Sequence, residues 1–322
     1  MKHLSFDILH CTEQAALAST CWIGRGDEKA ADRAAVDAMR ESLNNMLVQG
    51  RVVTGEGERD NAPMLYIGET VGTGQGMEID IAVDPLEGTT FCANNYSNAL
   101  TVLAFAQKGG FLHAPDIYME KIAVGSHIPS SAITLDSTIE ENIKAVANAK
   151  KCNVHDVHLV ILNRTRHDNM IHSARKTGAK ITLIDDGDIA AIIQAALPSS
   201  SVDMVIGIGG APEGVLAAAA LRCLGGSMFA RLVFDTDKQK DRAHHMGITN
   251  MNTIYNETDM AKGNILFCTT GVTQGALLNG VTYCEHHIQT ESLLLSSETK
   301  TIRYITSQHK KILCDTYHNR IS

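Results

Sequence analysis

Acids, a glycine and two hydroxyl side chains follow one another closely in residues 79–90, IDIAVDPLEGTT. Its apolar, β-branched beginning predicts a strand, and the Asp84-Pro85 pair predicts that the strand ends there, since proline cannot donate to a sheet ladder. The carboxylates of Asp84 and Glu87, then Gly88 and two threonines, follow this end. Protein-bound Mg²⁺ commonly uses one or two carboxylates together with substrate phosphate oxygens. The segment therefore indicates either a divalent-cation site or a polar turn whose Asp and Gly serve turn geometry.

A third acid, Asp32, is predicted to face the core. It lies four residues before Val36 and seven before Met39, on the apolar stripe of a helix predicted over residues 27–48. A buried carboxylate is costly unless it is paired or bound to a metal. Asp32 is therefore either a site residue or an acid that the positive end of the helix dipole favours.

The loop after the strand predicted at residues 51–54 contains two more candidates. Glu56 is flanked by glycines, so the backbone there can approach another group closely. Asp60, four residues later, could orient a neighbouring group or assist as a base. An ordinary acidic turn is the alternative interpretation of this loop.

Residues 137–224 alternate between predicted helices and predicted strands. This order implies parallel strands covered by helices, and ligands of such sheets gather beyond the carboxyl ends of the strands. Three of these ends are polar: NRTRHD (163–168), DDGD (185–188) and GIGGAPEG (207–214). The sequence therefore predicts a second group of functional side chains along one edge of this sheet.

Each polar strand end has two interpretations. Arg164 and Arg166 suit bidentate phosphate contacts, or they are solvated residues at the start of a helix. The acids of residues 185–188 could accept from sugar hydroxyls, or cap the next helix. Glu213 follows Pro212 at a predicted helix start, where an acid is also favoured by the dipole alone. The glycines of that segment do not match the full dinucleotide-binding spacing.

The amino-acid composition and net charge of the chain argue against some classes of binding partner. The chain has 322 residues, 44% of them hydrophobic, and a formal net charge of -8 without a basic block, which argues against nucleic acid and anionic membrane as partners. Its N-terminus is interrupted by charged residues and resembles neither a signal peptide nor a membrane span. Eight scattered cysteines without a C-x-x-C pair are typical of reduced thiols in a cytoplasmic protein.

Several stretches together resemble the class II fructose-1,6-bisphosphatases of bacteria over most of the chain. The stretches are GRGDEKAADRAAVDAMR, VVTGEGERDNAPMLYIGE, VDPLEGTT, FLHAPDIYMEKIAVG, RHD, DGD, GIGGAPEG and the TIR near the end. VDPLEGTT alone resembles the wider lithium-sensitive phosphatase superfamily, which includes inositol monophosphatases and usually has Asp where this chain has Glu87. The resemblance implies an α/β fold, the layered α/β/α/β/α sugar-phosphatase fold. With it we expect a metal-binding α+β lobe over residues 1–135 and a substrate-binding α/β lobe over residues 136–322.

The resemblance also implies roles for individual residues. Asp32 and Glu56 match the ligands of one Mn²⁺ or Mg²⁺ ion, and Asp84, Glu87 and Glu213 match those of a second. Glu87, Gly88 and Thr89 match the loop that meets the reacting phosphate, with Thr89 the expected catalytic residue and Asp60 a possible assistant. The matches to other substrate contacts are Tyr118, Arg164, Thr165, Arg166, Asp186, Gly187, Asp188 and Gly210.

The expected activity is metal-dependent removal of the 1-phosphate of fructose 1,6-bisphosphate by a cytoplasmic homodimer or homotetramer. A broader phosphatase for sedoheptulose 1,7-bisphosphate or an inositol phosphate is the alternative within the same class. Tyr118, Arg164 and Arg166 favour a bisphosphate, because a monophosphate has no second phosphate for these side chains to bind. A metal-dependent sugar-phosphate sensor without turnover is the alternative from another class.

Overall fold

The computed structural model describes residues 1–55 and 65–310, and in it the chain forms two compact units. One unit combines Met1–Phe111 with Gly263–Ser322, and the other is Leu112–Lys262. The expected single division at residues 135–136 differs from these bounds. A cut based on chain order cannot anticipate that the last part of the chain rejoins the sheet formed by the first part.

The described residues contain helices and strands throughout both units. The helices are α1 (Ser5–Ser19), α2 (Glu28–Asn44), α3 (Thr89–Ala93), α4 (Ile139–Lys150), α5 (Asp168–Lys176), α6 (Asp188–Ala196), α7 (Ala211–Leu224), α8 (Asp237–His245) and α9 (Glu257–Met260). The strands are β1 (Val48–Thr54), β2 (Thr70–Val71), β3 (Met77–Glu87), β4 (Leu100–Gln107), β5 (Tyr118–Val124), β6 (His158–Leu162), β7 (Lys180–Ile184), β8 (Met204–Gly210), β9 (Ser227–Leu232), β10 (Tyr255–Asn256), β11 (Ile265–Gly271), β12 (Thr282–Tyr283), β13 (His287–Ser296) and β14 (Thr301–Lys310). The expected mixed α/β class is confirmed.

The first unit is built on an eight-stranded sheet in the order β12-β13-β11-β4-β3-β1-β2, with β14 paired to β13. Strand β3 runs parallel to β1 and antiparallel to β4, and β11 joins β4 to β13 by antiparallel pairing. Helices α1 and α2 pack on each other and on this sheet. The fully buried side chains of Ile8, Met39, Ile81 and Phe105 belong to the resulting core.

The helix predicted over residues 27–48 ends earlier, at Asn44. Gly50, two residues beyond the predicted end of that helix, lies within β1. A Cβ atom at Gly50 would approach the Cδ1 of Ile81 to 2.9 Å and the Cγ2 of Val71 to 3.0 Å. This glycine therefore serves close packing of neighbouring strands rather than a helix end.

The prediction that the strand before VDPLEGTT stops at Asp84-Pro85 is wrong. β3 continues to Glu87, where Asp84 pairs with Val102 and Glu87 pairs with Leu100. The register shifts between Asp84 and Glu87. Proline is tolerated at such an irregularity because the ladder hydrogen bond it cannot donate is skipped there.

The second unit contains a six-stranded sheet in the order β10-β9-β5-β8-β6-β7. β6 runs parallel to β7 and to β8, as the alternation of helices and strands predicts, whereas β5 pairs antiparallel with both β8 and β9. The polar ends of β6, β7 and β8 therefore lie along one edge of adjacent parallel strands. Within the described ranges, no helix has the length and apolar character that crossing a membrane requires.

Candidate active site

The end of β3 holds the first group of candidate residues, all in the first unit. The side chains of Asp84 and Glu87 are buried, with 5% and 4% of their surfaces exposed. One oxygen of Asp84, Oδ1, accepts a hydrogen bond from the backbone N–H of Leu86 at 3.1 Å. Gly88 then adopts a left-handed conformation with φ 80°, which glycine permits, and Thr89 opens α3. The sequence motif thus folds into two buried carboxylates followed directly by a half-buried hydroxyl.

Asp32 lies on α2, which packs against β3 and α3. Its side chain is half-buried, and its Oδ1 is buried without a hydrogen-bond partner among the described residues. Burial, and secondarily the charge of Asp37, raises the pKa of Asp32 to about 6. One carboxylate oxygen of Asp32 thus faces the protein interior, as its place on the apolar stripe predicts, while the side chain as a whole is partly exposed. Glu56 and Asp60, the other two acids expected near this site, fall outside the described residues.

The second unit brings Tyr118 and Arg166 together. The guanidinium carbon of Arg166 lies 4.6 Å from the centroid of the Tyr118 ring. Arg166 also donates from Nε and Nη2 to the carbonyl oxygen of Ile208, at 3.0 and 2.7 Å. The Tyr118 ring and the Ile208 carbonyl fix the plane of the Arg166 guanidinium at the polar edge of the sheet, as is expected of an anion-binding arginine.

His167 is a supporting residue that the sequence interpretation passed over within the RHD triplet. Its side chain is fully buried, with Nδ1 2.8 Å from the carbonyl oxygen of Leu162 and Nε2 accepting from the N–H of Ile208 at 2.8 Å. Since Nε2 accepts, Nδ1 carries the proton of a neutral ring. Burial, followed by the charges of Arg166 and Arg164 against an opposing backbone hydrogen bond, lowers the pKa of His167. The neutral ring joins the end of β6 to β8 beside Arg166.

The loop residues Arg164 and Thr165 are exposed at the same edge, directly after β6. The ends of β6 and β7 are joined by Asn163, whose Nδ2 donates to Oδ1 of Asp185 at 2.9 Å. Beyond β7, Gly187 adopts a left-handed conformation with φ 81°. Asp188 follows as the first residue of α6, and its side chain is buried. The predicted acid-rich turn thus precedes a helix, but the N-cap of that helix is Gly187 without a side-chain cap hydrogen bond, so the acids do not cap it as one interpretation expected.

A second residue missed in the sequence is Lys121, whose side chain is 4% exposed. Its Nζ donates to Oδ2 of Asp188 and, at 3.0 Å, to the carbonyl oxygen of Gly210. A lysine inside the otherwise apolar end of a strand, MEKIAV, was the available signal, because lysine is almost never fully buried unless it is paired.

Glu213 lies in the first turn of α7, close to Lys121 and Asp188. Its Oε2 is buried without a hydrogen-bond partner among the described residues. Burial raises the pKa of Glu213 to about 7, the charge of Lys121 opposes that shift, and the charge of Asp188 adds to it. A Cβ atom at Gly210 would collide with the Glu213 carboxylate, so this glycine makes the room for that acid.

Asp32 and Glu213 are chemically suited to hold a divalent cation. Each has a buried carboxylate oxygen without a partner in the described part of the chain, and each has a raised pKa. A bound cation would favour their ionised forms and satisfy those oxygens. Residues 1–55 and 65–310 contain no group of three or more His, Cys, Asp or Glu side chains assembled to hold a metal ion.

The comparison with protein families identifies the class of this enzyme. Residues 2–309 match the model of the glpX-encoded bacterial fructose-1,6-bisphosphatases. The chain belongs to this family. It is accordingly a phosphoric monoester hydrolase, and hydrolysis of fructose bisphosphate is the reaction for which the family is named.

Curated relatives agree with this membership over nearly the full chain. The D-fructose 1,6-bisphosphatase class 2/sedoheptulose 1,7-bisphosphatase of Synechococcus sp. strain JA-3-3Ab is 40% identical over 333 residues, which cover 96% of each chain. The protein of the same name from Synechocystis sp. is 39% identical over 336 residues, again 96% of each chain. Among solved structures, the Thermotoga maritima IMPase TM1415 matches with a TM-score of 0.32 and 15% identity, over 61% of this chain and 74% of that one.

Proposed function

We propose that this enzyme hydrolyses the 1-phosphate of fructose 1,6-bisphosphate in a divalent-metal-dependent reaction, giving fructose 6-phosphate and phosphate. The observation that carries the proposal is the pair of buried carboxylates, Asp84 and Glu87, followed after Gly88 by the hydroxyl of Thr89. Buried acids at an irregular strand end are expensive unless a cation or hydrogen bonds compensate them.

Asp32 and Glu56 would hold one divalent ion, and Asp84, Glu87 and Glu213 would hold a second. Mg²⁺ or Mn²⁺ bound there would supply Lewis-acid stabilisation of phosphoryl oxygens and a water of lowered pKa. The buried oxygens of Asp32 and Glu213, which have no hydrogen-bond partner in residues 1–55 and 65–310, support this assignment. A titration of metal-free enzyme with each ion would decide between Mg²⁺ and Mn²⁺.

Thr89 is the proposed catalytic residue. It is the first residue of α3 and lies two positions after Glu87, and the left-handed Gly88 turns the backbone between them. From there, Thr89 Oγ1 positions the attacking water and passes on its proton. Asp60 is proposed as an assistant in that transfer. Glu87, Gly88 and Thr89 together form the loop that meets the reacting phosphate.

The residues of the second unit are proposed to bind the rest of the substrate. Tyr118, Arg164, Thr165 and Arg166 would hold the distal phosphate, because a guanidinium offers paired donors to phosphate oxygens. The segment from Asp186 to Asp188, with Gly210, would accept the sugar.

Sedoheptulose 1,7-bisphosphate is a second candidate substrate, because the curated relatives carry both activities in their names. We further propose that the enzyme acts in gluconeogenesis, in the cytoplasm, as a homodimer or homotetramer. The scattered cysteines of the sequence, without a C-x-x-C pair, support a reducing compartment.

The direct test is phosphate release from fructose 1,6-bisphosphate, sedoheptulose 1,7-bisphosphate and inositol 1-phosphate, each with Mn²⁺ or Mg²⁺. The product is identified by an enzymatic assay specific for fructose 6-phosphate. We expect equal amounts of phosphate and fructose 6-phosphate, and release from inositol phosphate far slower than from either bisphosphate. Fructose 1-phosphate as the product, or no release with either metal, would overturn the proposal.

A further inference from the structure

Lys121 lies in a buried cluster with Asp188 and Gly210, and its contacts there fix the positions of these groups in addition to balancing charge. Lys121 is on β5, Asp188 begins α6, and Gly210 ends β8, so the lysine joins three elements of the second unit through one ammonium group. Replacing a buried ion pair with well-packed apolar residues is often neutral or stabilising. The contribution of this pair to stability alone is therefore an insufficient account of it, and the arrangement that it imposes on the carboxylate is the feature to explain.

The backbone around the pair is shaped to admit it. A Cβ atom at Gly209 would lie 2.5 Å from Oδ2 of Asp188 and 2.9 Å from Nζ of Lys121. Real Cβ atoms do not approach other atoms so closely, so only glycine leaves room for the ion pair at this point of β8. Gly209 is thus explained by the space that Lys121 and Asp188 occupy, as Gly210 is explained by the Glu213 carboxylate, and neither glycine needs a dinucleotide phosphate to account for it.

The contacts of the ammonium group constrain the direction of the Asp188 carboxylate. Lys121 Nζ is held by the carbonyl oxygen of Gly210 at 3.0 Å while it donates to Oδ2 of Asp188. With Oδ2 directed at Lys121, the other oxygen, Oδ1, is left in a defined orientation. A rigidly held acceptor binds a sugar hydroxyl with less loss of conformational entropy than a mobile one.

We propose that Lys121 is a positioning residue, which holds the Asp188 carboxylate in the orientation that accepts a hydroxyl of the sugar. This inference rests on the proposed role of Asp188 as a sugar contact. Lys121 itself touches no substrate atom and acts through Asp188.

The test compares binding of fructose 6-phosphate with binding of inorganic phosphate to the full-length protein, by calorimetry with Mn²⁺ and again in EDTA. Lys121→Met removes the charge and keeps the length of the side chain. We expect it to weaken binding of fructose 6-phosphate about 10- to 100-fold, the range for a hydrogen bond to a charged group, and to change phosphate binding less than about twofold. Lys144→Met, at an exposed lysine of α4, is the matched control and should change neither.

Lys121→Arg separates positioning from charge balance and also serves if Lys121→Met does not fold. Arginine keeps the positive charge beside Asp188 but places its donors on a longer, planar group. A role in charge balance alone would leave the affinity of this variant for fructose 6-phosphate at the wild-type value, whereas positioning predicts a loss of about fivefold or more. Wild-type affinity in Lys121→Arg, or equal losses for fructose 6-phosphate and phosphate in Lys121→Met, would overturn the inference.

Asp188→Asn separates the proposed role of Asp188 as a sugar contact from the proposed role of Lys121 as a positioning residue. If it binds fructose 6-phosphate as the wild type does, the sugar-contact role of Asp188 fails, and the role of Lys121 fails with it. If Asp188→Asn is weakened while both Lys121 variants bind normally, only the inference about Lys121 fails. Adding Lys121→Met to Asp188→Asn should weaken binding no further, because the lysine acts through the carboxylate.

Discussion

The guanidinium carbon of Arg166 lies 4.6 Å from the centroid of the Tyr118 ring, within the range of a cation–π contact. The two residues are 48 positions apart in the sequence and come from a loop after β6 and the start of β5. The aromatic face restrains the guanidinium while the carbonyl of Ile208 holds two of its N–H groups. The pair is therefore a preorganised cationic surface for an anion.

Arg166→Lys should weaken substrate binding, because lysine can neither stack its charge in a plane nor share two donors with the Ile208 carbonyl. We expect the KM for fructose 1,6-bisphosphate to rise about tenfold or more, the loss of a charge-assisted hydrogen bond, with a smaller effect on kcat. Steady-state kinetics on the purified variant measure both. Arg175→Lys, at an exposed arginine of α5, is the matched control. An unchanged KM in Arg166→Lys would remove this residue from the phosphate clamp.

His167 should make the stability of the protein depend on pH below neutrality. Burial lowers its pKa in the folded state, so the unfolded chain, with a pKa of about 6.5, binds the proton more readily. The stabilisation is complete above about pH 6.5 and is lost as the pH falls toward the folded-state pKa. Urea unfolding at pH 7.5 and pH 5.5 should show a larger loss of stability for the wild type than for His167→Gln.

At pH 7.5 the same variant should be less stable than the wild type by about 1–3 kcal/mol, because the N–H of Ile208 loses a well-placed acceptor. His172→Gln, at an exposed histidine of α5, provides the control for general effects of the substitution. An identical pH dependence of stability in wild type and His167→Gln would contradict the buried neutral ring.

The positions of these elements were predictable to different degrees. The alternation over residues 137–224 predicted the parallel strands β6, β7 and β8 correctly, because hydrophobic periodicity and helix caps are local signals. The end of β3 was misplaced at Pro85, since a register shift depends on the partner strand. Tertiary pairing also explains why Gly50 lies in a strand.

The candidate-site residues were likewise predictable only where the sequence signal is local. Asp32 was correctly predicted to point inward from its spacing alone. The roles of His167 and Lys121 could not be found in that way, because their partners Ile208, Asp188 and Gly210 lie more than 40 residues away in the sequence. A buried cation or imidazole becomes visible only when the elements that satisfy it are assembled.

Thr89→Ala should reduce turnover by about 10²-fold or more, within the range of positioned acid–base groups, and leave KM nearly unchanged. Thr89→Ser keeps the hydroxyl and should retain most of the activity. Thr90→Ala tests the exposed neighbour on the same short helix and should have little effect. Turnover of Thr89→Ala equal to that of the wild type would exclude this hydroxyl from the mechanism.

Buried cysteines should react with alkylating reagents more slowly than partly exposed ones. Burial raises the pKa of both Cys92 and Cys268 to about 12, so the reactive thiolate is scarce at pH 8. Cys152 and Cys284 are only half-buried. Alkylation by iodoacetamide followed by mass spectrometry should label Cys152 and Cys284 first, and the other two only after unfolding. Labelling of Cys268 as fast as Cys284 would show that this part of the core opens readily.

The most direct test of the account is a metal titration of phosphate release by protein first stripped with EDTA. Fructose 1,6-bisphosphate is the substrate, and wild type is compared with Asp84→Asn and Asp80→Asn. Asp80 is a matched control on the same strand, since it is also buried and accepts from the N–H of Gly109 at 2.7 Å, a bond that asparagine can keep.

We predict that Mn²⁺ or Mg²⁺ restores activity to the stripped wild type and to Asp80→Asn at similar concentrations. Asp84→Asn should need at least tenfold more metal or remain inactive, because its neutral amide is a poorer ligand for a hard cation. Full activity of the wild type in excess EDTA, or an Asp84→Asn titration identical to that of the wild type, would contradict the central claim.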